Sequence, residues 1–295
     1  EQFMTQPGRI RSTKQKYQYK LGNFLDKHGD NSIQIIDVPL IENWFAELDR
    51  KGYSDGHLAF HRSCFVTFLN FCQPWINNNP AKALPYYSQI PTHIITANAA
   101  HIGIALTVCE DKMGQTLALQ RDAAIFALGV SGMRRSNIRE TRYTDMLYAL
   151  QNPIQIDSRT AYSIQSNGKE PMEAILDQRR AKIIQRYIDN RPTINKHNRL
   201  FIVVNENHAK YLQPLSNESL LRARKKVCTL ANIPVISFQK MRRLIGTNVA
   251  RTHGVALAAN VLGHKSGVSV IINHYYNPDK QAARRAALDT FEAYA

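Results

Sequence analysis

A proline-rich stretch about a third of the way along the chain divides the sequence into two parts. Residues 77–93, NNNPAKALPYYSQIPTH, contain three prolines and show little helical periodicity. Because proline and asparagine clusters interrupt regular structure, this stretch is predicted to connect two domains. A chain of 295 residues is long enough for each domain to have its own core. The predicted boundaries are residues 1–80 for the first domain, 81–94 for the linker and 95–295 for the second domain.

Both parts show helical patterns of apolar residues. In the first, Asp37 is placed to cap a helix that has Pro39 in its first turn and ends at Gly52, and Ser54 or Asp55 opens the next helix. Residues 95–129 have the same periodicity.

Short alternating runs interrupt this pattern in the second part. They occupy residues 153–176 and are split by Asn167-Gly168, a pair typical of hairpin turns. Helical patterning resumes at about residue 178. The predicted fold is mainly α, with one small antiparallel β-sheet in the second domain.

The charge of the chain points to a polyanionic partner. Lys and Arg number 38 against 23 Asp and Glu, a net charge of +15, which favours nucleic acid or an anionic membrane surface. A merely basic soluble protein is the alternative. Since the sequence has no apolar run of about 20 residues and no signal segment, a soluble, cytoplasmic and nucleoid-associated protein without a membrane partner is expected. The four cysteines are scattered, and three of them sit in apolar surroundings typical of reduced core thiols.

Several kinds of chemistry lack their motifs. The sequence contains neither a phosphate-binding Gly-x-x-x-x-Gly-Lys loop nor a Gly-x-Gly-x-x-Gly turn, and no His-Glu-x-x-His or acidic cluster. No cofactor and no metal are therefore expected. A phosphoryl-transfer enzyme of this kind would stabilise phosphate with side chains, and arginine suits that role because its planar donors match phosphate oxygens.

Two arginine-containing stretches stand out. In GVSGMRRSNIRETRYTDM, residues 129–146, a Gly-Met-Arg turn leads into a new helix at about Ser136, and a helix N-terminus favours anions. In SFQKMRRLIGTNVARTHG, residues 237–254, Arg242 lies near the start of an amphipathic helix. Solvated helix faces are the alternative interpretation of both stretches.

In order, these stretches resemble the catalytic domain of the tyrosine recombinases, the phage integrase family. Gly132-Met133-Arg134 and the later Tyr143-Thr144-Asp145 resemble the family's Gly-Leu-Arg box and its Trp-x-Asp. Gln239-Lys240-Met241-Arg242 resembles His-x-x-Arg, and Leu262-Gly263-His264 is the family's Leu-Gly-His. A nucleophilic tyrosine is expected shortly downstream. The first part of the chain resembles the family's helical core-binding domain, so the resemblance implies a two-domain clamp around duplex DNA.

The resemblance implies a role for each matching residue. Arg134 and Arg242 would hold the scissile phosphate, Lys169 on the hairpin would protonate the leaving 5′-oxygen, and a tyrosine would form a 3′-phosphotyrosyl link. The implied catalytic residues are Arg134, Lys169, Gln239, Arg242, His264 and Tyr275.

Three positions depart from the family pattern. Gln239 occupies the usual histidine position and can donate a hydrogen bond but cannot shuttle protons, so that role would fall to His264. Lys169 lies about three residues beyond the commonest lysine position, where Ser166 stands. The interval from Leu-Gly-His to the tyrosine is longer than usual. Tyr275, which follows a histidine, is preferred to Tyr276 because it requires the smaller insertion.

The resemblance implies double-stranded DNA sites as the substrate, a homo-tetramer on DNA, and accessory DNA-bending or directionality factors as further partners. The final segment, PDKQAARRAALDTFEAYA, is predicted to form an amphipathic helix that docks either on a neighbouring subunit or on its own domain. The implied function is integration or excision of a mobile element. Three alternatives remain at this point: a non-cutting DNA-binding descendant, a type IB topoisomerase and a basic RNA-binding protein.

Overall fold

The computed structural model describes residues 3, 11–29, 32–76, 78–87, 96–156, 158–166, 172–194 and 196–263. The chain divides into two compact units, Glu1–Thr92 and His93–Ala295. Over the described residues it is mostly helical with a three-stranded antiparallel sheet, which confirms the predicted fold class. No helix in the described part of the chain is long and apolar enough to cross a membrane.

Among its described residues, the first unit contains three α-helices and two short 3₁₀ helices. The α-helices are α1 (Arg11–His28), α2 (Val38–Arg50) and α3 (Asp55–Phe71), and the 3₁₀ helices are Ile33–Ile35 and Pro80–Lys82.

The ends of α2 and α3 follow from local sequence. The Asp37 carboxylate accepts a hydrogen bond of 2.9 Å from the Leu40 backbone N–H, which satisfies a donor left open at the helix start. Gly52 takes a positive φ of 78° after α2, and Ser54 precedes α3. These boundaries confirm the predictions for both helices.

The first unit extends further along the chain than the prolines indicate. Ala81 and Leu84 are 0% and 3% exposed and pack into the core of the first unit. Asn79 secures this segment, because its side-chain Nδ2 donates to the Val66 carbonyl at 2.9 Å and to Asn70 Oδ1 at 2.8 Å. Residues 79–84 are therefore part of the first unit.

A buried pair of basic side chains lies in the same unit. Lys20 Nζ is 3.0 Å from His61 Nε2, and the two residues are 8% and 3% exposed. Burial, the positive charge of Lys20 and that of His57 lower the pKa of His61 to about 4. His61 is consequently neutral in the folded unit near pH 7.

The second unit contains eight helices and three strands among its described residues. In chain order they are α4 (Ala99–Asp111), α5 (Leu117–Val130), α6 (Arg135–Glu140), α7 (Tyr143–Gln151), β1 (Ile154–Ile156), β2 (Arg159–Ser166), β3 (Met172–Asp177), α8 (Gln178–Asn190), α9 (Asn217–Leu230), α10 (Phe238–His253) and α11 (Val255–Val261).

Helix α5 lies at the centre of this unit. Every residue from Ala123 to Val130 is buried, and α4, α8, α9 and α10 all pack against the helix. A helix that is apolar on all sides is stable only when it is covered in this way. The Thr116 hydroxyl accepts from the Leu119 N–H at 3.3 Å and sets where α5 begins.

The three strands pair in the order β1-β2-β3, all antiparallel. Ser166 pairs with Met172, so residues 167–171 connect β2 to β3. Along β3, Met172, Ala174 and Leu176 are buried while the residues between them are exposed, the alternation expected of a half-buried strand. Helix α8 starts at Gln178, which confirms the prediction that helices resume there.

The four cysteines, Cys64, Cys72, Cys109 and Cys228, are buried and free. This agrees with their interpretation as core thiols. Burial raises the pKa of Cys64 to about 11 and that of Cys109 to about 12, so neither is a thiolate near pH 7.

Candidate active site

An arginine-rich cleft opens where α6, α9 and α10 meet. Its volume is about 400 Å³. No acidic side chain is among its described lining residues, which are Arg134, Arg135, Ser136, Arg139, Asn217, Leu221, Arg224, Ser237, Phe238, Gln239 and Arg242. The structure therefore brings together three predicted site residues, Arg134, Gln239 and Arg242, from segments about 100 residues apart in the chain.

Arg242 is the most constrained side chain of the cleft. It is 0% exposed, although a buried guanidinium loses hydration that only strong hydrogen bonds can replace. Its Nη1 donates to the Gly132 carbonyl at 2.7 Å and lies 3.5 Å from Met172 Sδ. Its Nη2 donates to the Leu262 carbonyl. One side chain thus connects the Gly-Met-Arg turn, the start of β3 and the Leu-Gly-His turn.

The turn before Arg134 requires glycine. Gly132 has φ +82°, a region that other residues adopt only with strain. A Cβ at this position would also lie 3.1 Å from Ile245 Cδ1 on α10. Arg134 follows as the residue that precedes α6, which begins at Arg135, one residue before the predicted start at about Ser136.

A second glycine sets the distance between α5 and α10. A Cβ on Gly129 would lie 2.6 Å from Phe238 Cδ1 and 3.2 Å from Met241 Sδ. The absence of a side chain on α5 therefore lets the first turn of α10 approach closely. That turn carries Gln239, whose side chain is exposed toward the cleft.

The start of α10 is capped within the cleft wall. The Ser237 hydroxyl accepts from the Lys240 N–H at 3.1 Å. Gln239 follows the buried Phe238 directly, so its backbone position is determined by the cap and by the packing of that ring. Its amide can donate a hydrogen bond to a phosphate oxygen but carries no charge.

Four predicted positions lie outside the described residues: Lys169, His264, Tyr275 and the alternative Tyr276. The predicted C-terminal helix lies outside them as well. The structure does describe Ser166, the position at which the resemblance implies a lysine: it is 1% exposed, and its Oγ has no hydrogen-bond partner among the described residues.

Three further arginines line the cleft without having been singled out from sequence. Arg135 and Arg139 belong to α6, and Arg139 is ion-paired with Glu140 at 2.7 Å. Arg224 belongs to α9, four residues after the buried Leu220. A residue four positions from a core leucine lies on the same side of a helix, so its position relative to Leu220 is a sequence signal that could have revealed Arg224.

Comparison with known protein families places the chain in one of them. Residues 104–282, more than half of the chain, match the model of the Phage integrase family. The chain belongs to the phage integrase family. Its function is that of a site-specific recombinase of the tyrosine type.

Solved structures of integrases and recombinases share the fold. The chain is similar to the Tn1549 transposon integrase in complex with a circular intermediate DNA, with a TM-score of 0.70, 17% identity, and coverage of 98% of this chain and 96% of that chain. For XerH site-specific recombinase bound to a palindromic difH substrate the TM-score is 0.68 and the identity 17%, covering 93% and 79% of the two chains. For a lambda integrase dimer bound to a COC′ core site the TM-score is 0.64 and the identity 13%, covering 92% of this chain and 91% of that chain. No curated protein matches the sequence.

Proposed function

We propose that this integrase cleaves and rejoins double-stranded DNA at the arginine-rich cleft through a 3′-phosphotyrosyl intermediate. The observation that carries the proposal is the meeting of Arg134, Gln239 and Arg242 in one cleft that has no acidic side chain among its described lining residues. Such a cleft attracts a phosphodiester and stabilises the charge that develops on its oxygens.

In the proposed reaction the Tyr275 hydroxyl attacks the scissile phosphorus. A bond forms between the tyrosine oxygen and phosphorus as the bond to the 5′-oxygen breaks, and Lys169 donates a proton to that leaving oxygen. His264 takes the proton from the tyrosine. The phosphotyrosyl bond replaces one phosphoester with another, so the reverse attack by a 5′-hydroxyl rejoins DNA without ATP.

Arg242 has a positioning role in addition to its charge. Because it donates to the Gly132 and Leu262 carbonyls, it holds the residue two positions before Arg134 and the residue two positions before His264. Arg134 and Gln239 then supply donors to the non-bridging oxygens.

The DNA-bound relatives support double-stranded DNA as the substrate, and one of their structures is a lambda integrase tetramer bound to a Holliday junction. We propose that this chain likewise acts as a homo-tetramer on its recombination sites. Residues 1–80 would serve as the core-binding domain and residues 95–295 as the catalytic domain, with accessory DNA-bending or directionality factors as further partners. Integration or excision of a mobile element is the outcome we propose.

A non-cutting DNA-binding protein is the second candidate function. Gln239 favours it, because a glutamine in the cleft cannot transfer protons at neutral pH. The buried Ser166 at the usual lysine position favours it as well. The two functions differ in whether a covalent bond to DNA forms.

Covalent trapping tests the proposal. The protein is incubated with nicked duplexes that carry the junction sequences flanking its own gene, and an SDS-resistant protein–DNA adduct is measured. We expect the wild type and Tyr276→Phe to form the adduct and Tyr275→Phe to form none. Loss only in Tyr276→Phe would move the nucleophile by one residue. Tight, salt-sensitive binding without any adduct would favour the non-cutting protein.

A further inference from the structure

We propose that Arg224 is a further phosphate-binding residue of the cleft, which contacts a DNA phosphodiester oxygen beside Gln239. This inference rests on the proposed function of the cleft and extends its phosphate-binding machinery to α9. Three features of the described residues carry it: the placement of Arg224 on its helix, its bonding state, and the charges around it.

Helix α9 directs Arg224 toward the cleft. Leu220, Ala223 and Val227 form the buried face of α9, and Arg224 lies at the edge of that face, where it is half-buried. Arg222, two residues earlier and so almost opposite on the helix, is exposed and donates to the Ser219 hydroxyl at 3.3 Å. Arg224 is therefore separated from the solvated arginine and lysines of its own helix.

The guanidinium of Arg224 is held in place by an aromatic ring. It lies over Phe238, 5.6 Å from the ring centroid, a contact that orients arginine without consuming its hydrogen-bond donors. Its Nε is buried and has no hydrogen-bond partner among the described residues. Phe238 directly precedes Gln239, so the same ring places Arg224 next to the uncharged position of the cleft.

The arginines of the cleft are not equivalent. Arg139 is ion-paired with Glu140, and Arg242 donates to two backbone carbonyls. Arg224 forms no ion pair among the described residues, and burial together with the positive charge of Arg135 lowers its pKa. A guanidinium that is partly desolvated and faces another cation binds an anion favourably. Because Gln239 is neutral, Arg224 supplies positive charge to this part of the cleft.

The salt dependence of DNA binding tests this inference. Each lost phosphate contact reduces the slope of log K against log salt by about 0.9. We expect this reduction for Arg224→Gln and for Arg224→Met, which preserves the aliphatic packing on Phe238, and we expect Arg224→Lys to retain the slope. Loss of one charge-assisted hydrogen bond also predicts binding or cleavage weaker by about 10- to 100-fold.

Methylphosphonate substitution identifies the phosphate. Once the wild-type adduct has located the cleavage position in the flanking-junction duplex, neutral methylphosphonates are placed at the scissile phosphate and at each neighbouring phosphate. At the contacted position, Arg224→Gln should lose no further affinity or rate, whereas Arg222→Gln should show no such coupling at any of them. Coupling at either the scissile or a neighbouring phosphate supports the proposal.

Thermal melting first verifies that Arg224→Gln and Arg224→Met are folded. The inference is overturned if both variants keep the wild-type salt slope and show no coupling at any substituted phosphate. A wild-type protein that forms no adduct would contradict the proposed function instead. The salt slope would still report on Arg224, so the two failures are distinguishable.

Discussion

Replacing Gly129 with alanine should displace the first turn of α10 without changing any residue that lines the cleft. The new Cβ would lie 2.6 Å from Phe238 Cδ1 and 2.7 Å from Cε1. Carbon atoms in contact are normally about 3.5–4.0 Å apart, so the ring must move. Phe238 is 5% exposed and is enclosed by the core. Its movement shifts Gln239 and the start of α10.

Two opposing terms set the size of the effect. Inserting a methyl group into a packed core destabilises a protein by about 1–3 kcal/mol. Alanine in place of a helical glycine, here the penultimate residue of α5, stabilises a protein by about 0.5–1 kcal/mol. The free energy of unfolding should therefore fall by about 0–2.5 kcal/mol, with about 1 kcal/mol at the middle of the two ranges. Because a displacement of about 1 Å can slow a reaction by about 100-fold, adduct formation should fall by at least about 10-fold.

Gly103→Ala is the matched control. Gly103 lies within α4, and a Cβ there would meet nothing within 4 Å. Only the higher helix propensity of alanine applies, so this variant should raise the free energy of unfolding by about 0.5–1 kcal/mol and form the adduct as the wild type does. Urea unfolding and the SDS-resistant adduct are measured for both variants. A Gly129→Ala protein with wild-type stability and wild-type adduct yield would refute the packing argument.

Three other perturbations have expected outcomes. His61 has a pKa of about 4 in the folded state against 6.5 in the unfolded state. The free energy of unfolding is therefore unaffected by His61 above pH 6.5 and falls as the pH drops toward 4, because the unfolded state then binds a proton that the folded state does not. At pH 5 the expected loss is about 1–2 kcal/mol. In urea titrations His61→Phe should flatten this dependence; an unchanged profile would contradict the assignment. Arg242→Ala leaves two buried carbonyls without donors and should destabilise the protein by at least about 2–3 kcal/mol in the same assay; a smaller loss would show that the carbonyls find water. Gly132→Ala combines a positive φ with a close contact, whereas Gly254→Ala has φ +87° and open space. In thermal melts Gly132→Ala should lower the free energy of unfolding by more than the roughly 1–2 kcal/mol expected of backbone strain alone. Equal losses in the two variants would refute the steric part of the argument.

Some of the structure can be read from short-range sequence. The Asp37 cap and the hairpin near Asn167-Gly168 depend on interactions between residues close in the chain, and the structure has both α2 and the paired strands β2 and β3. Arg134 and Arg242 could be selected as a pair because the family's boxes occur in order. Residue type, order and local capping were sufficient for these predictions.

The linker shows where such patterns fail. Prolines at residues 80, 85 and 91 indicate an interruption of helix, but they carry no information about what the intervening residues touch. Ala81 and Leu84 are buried because Asn79 bonds to α3, nine and 13 residues earlier in the chain. Composition predicts that helix is interrupted here, and contacts between distant residues decide which unit the segment packs into.

The sequence by itself determined the helices, the paired strands and the boxes that resemble those of the family, because these depend on local backbone preferences and on residue chemistry. Only the tertiary structure decided that Arg242 is fully buried and bonded across 110 residues to Gly132. It also decided that Arg224 joins the cleft through the Phe238 ring. Burial and charge clustering depend on how distant segments pack, and a local pattern does not encode which side chains that packing brings within contact.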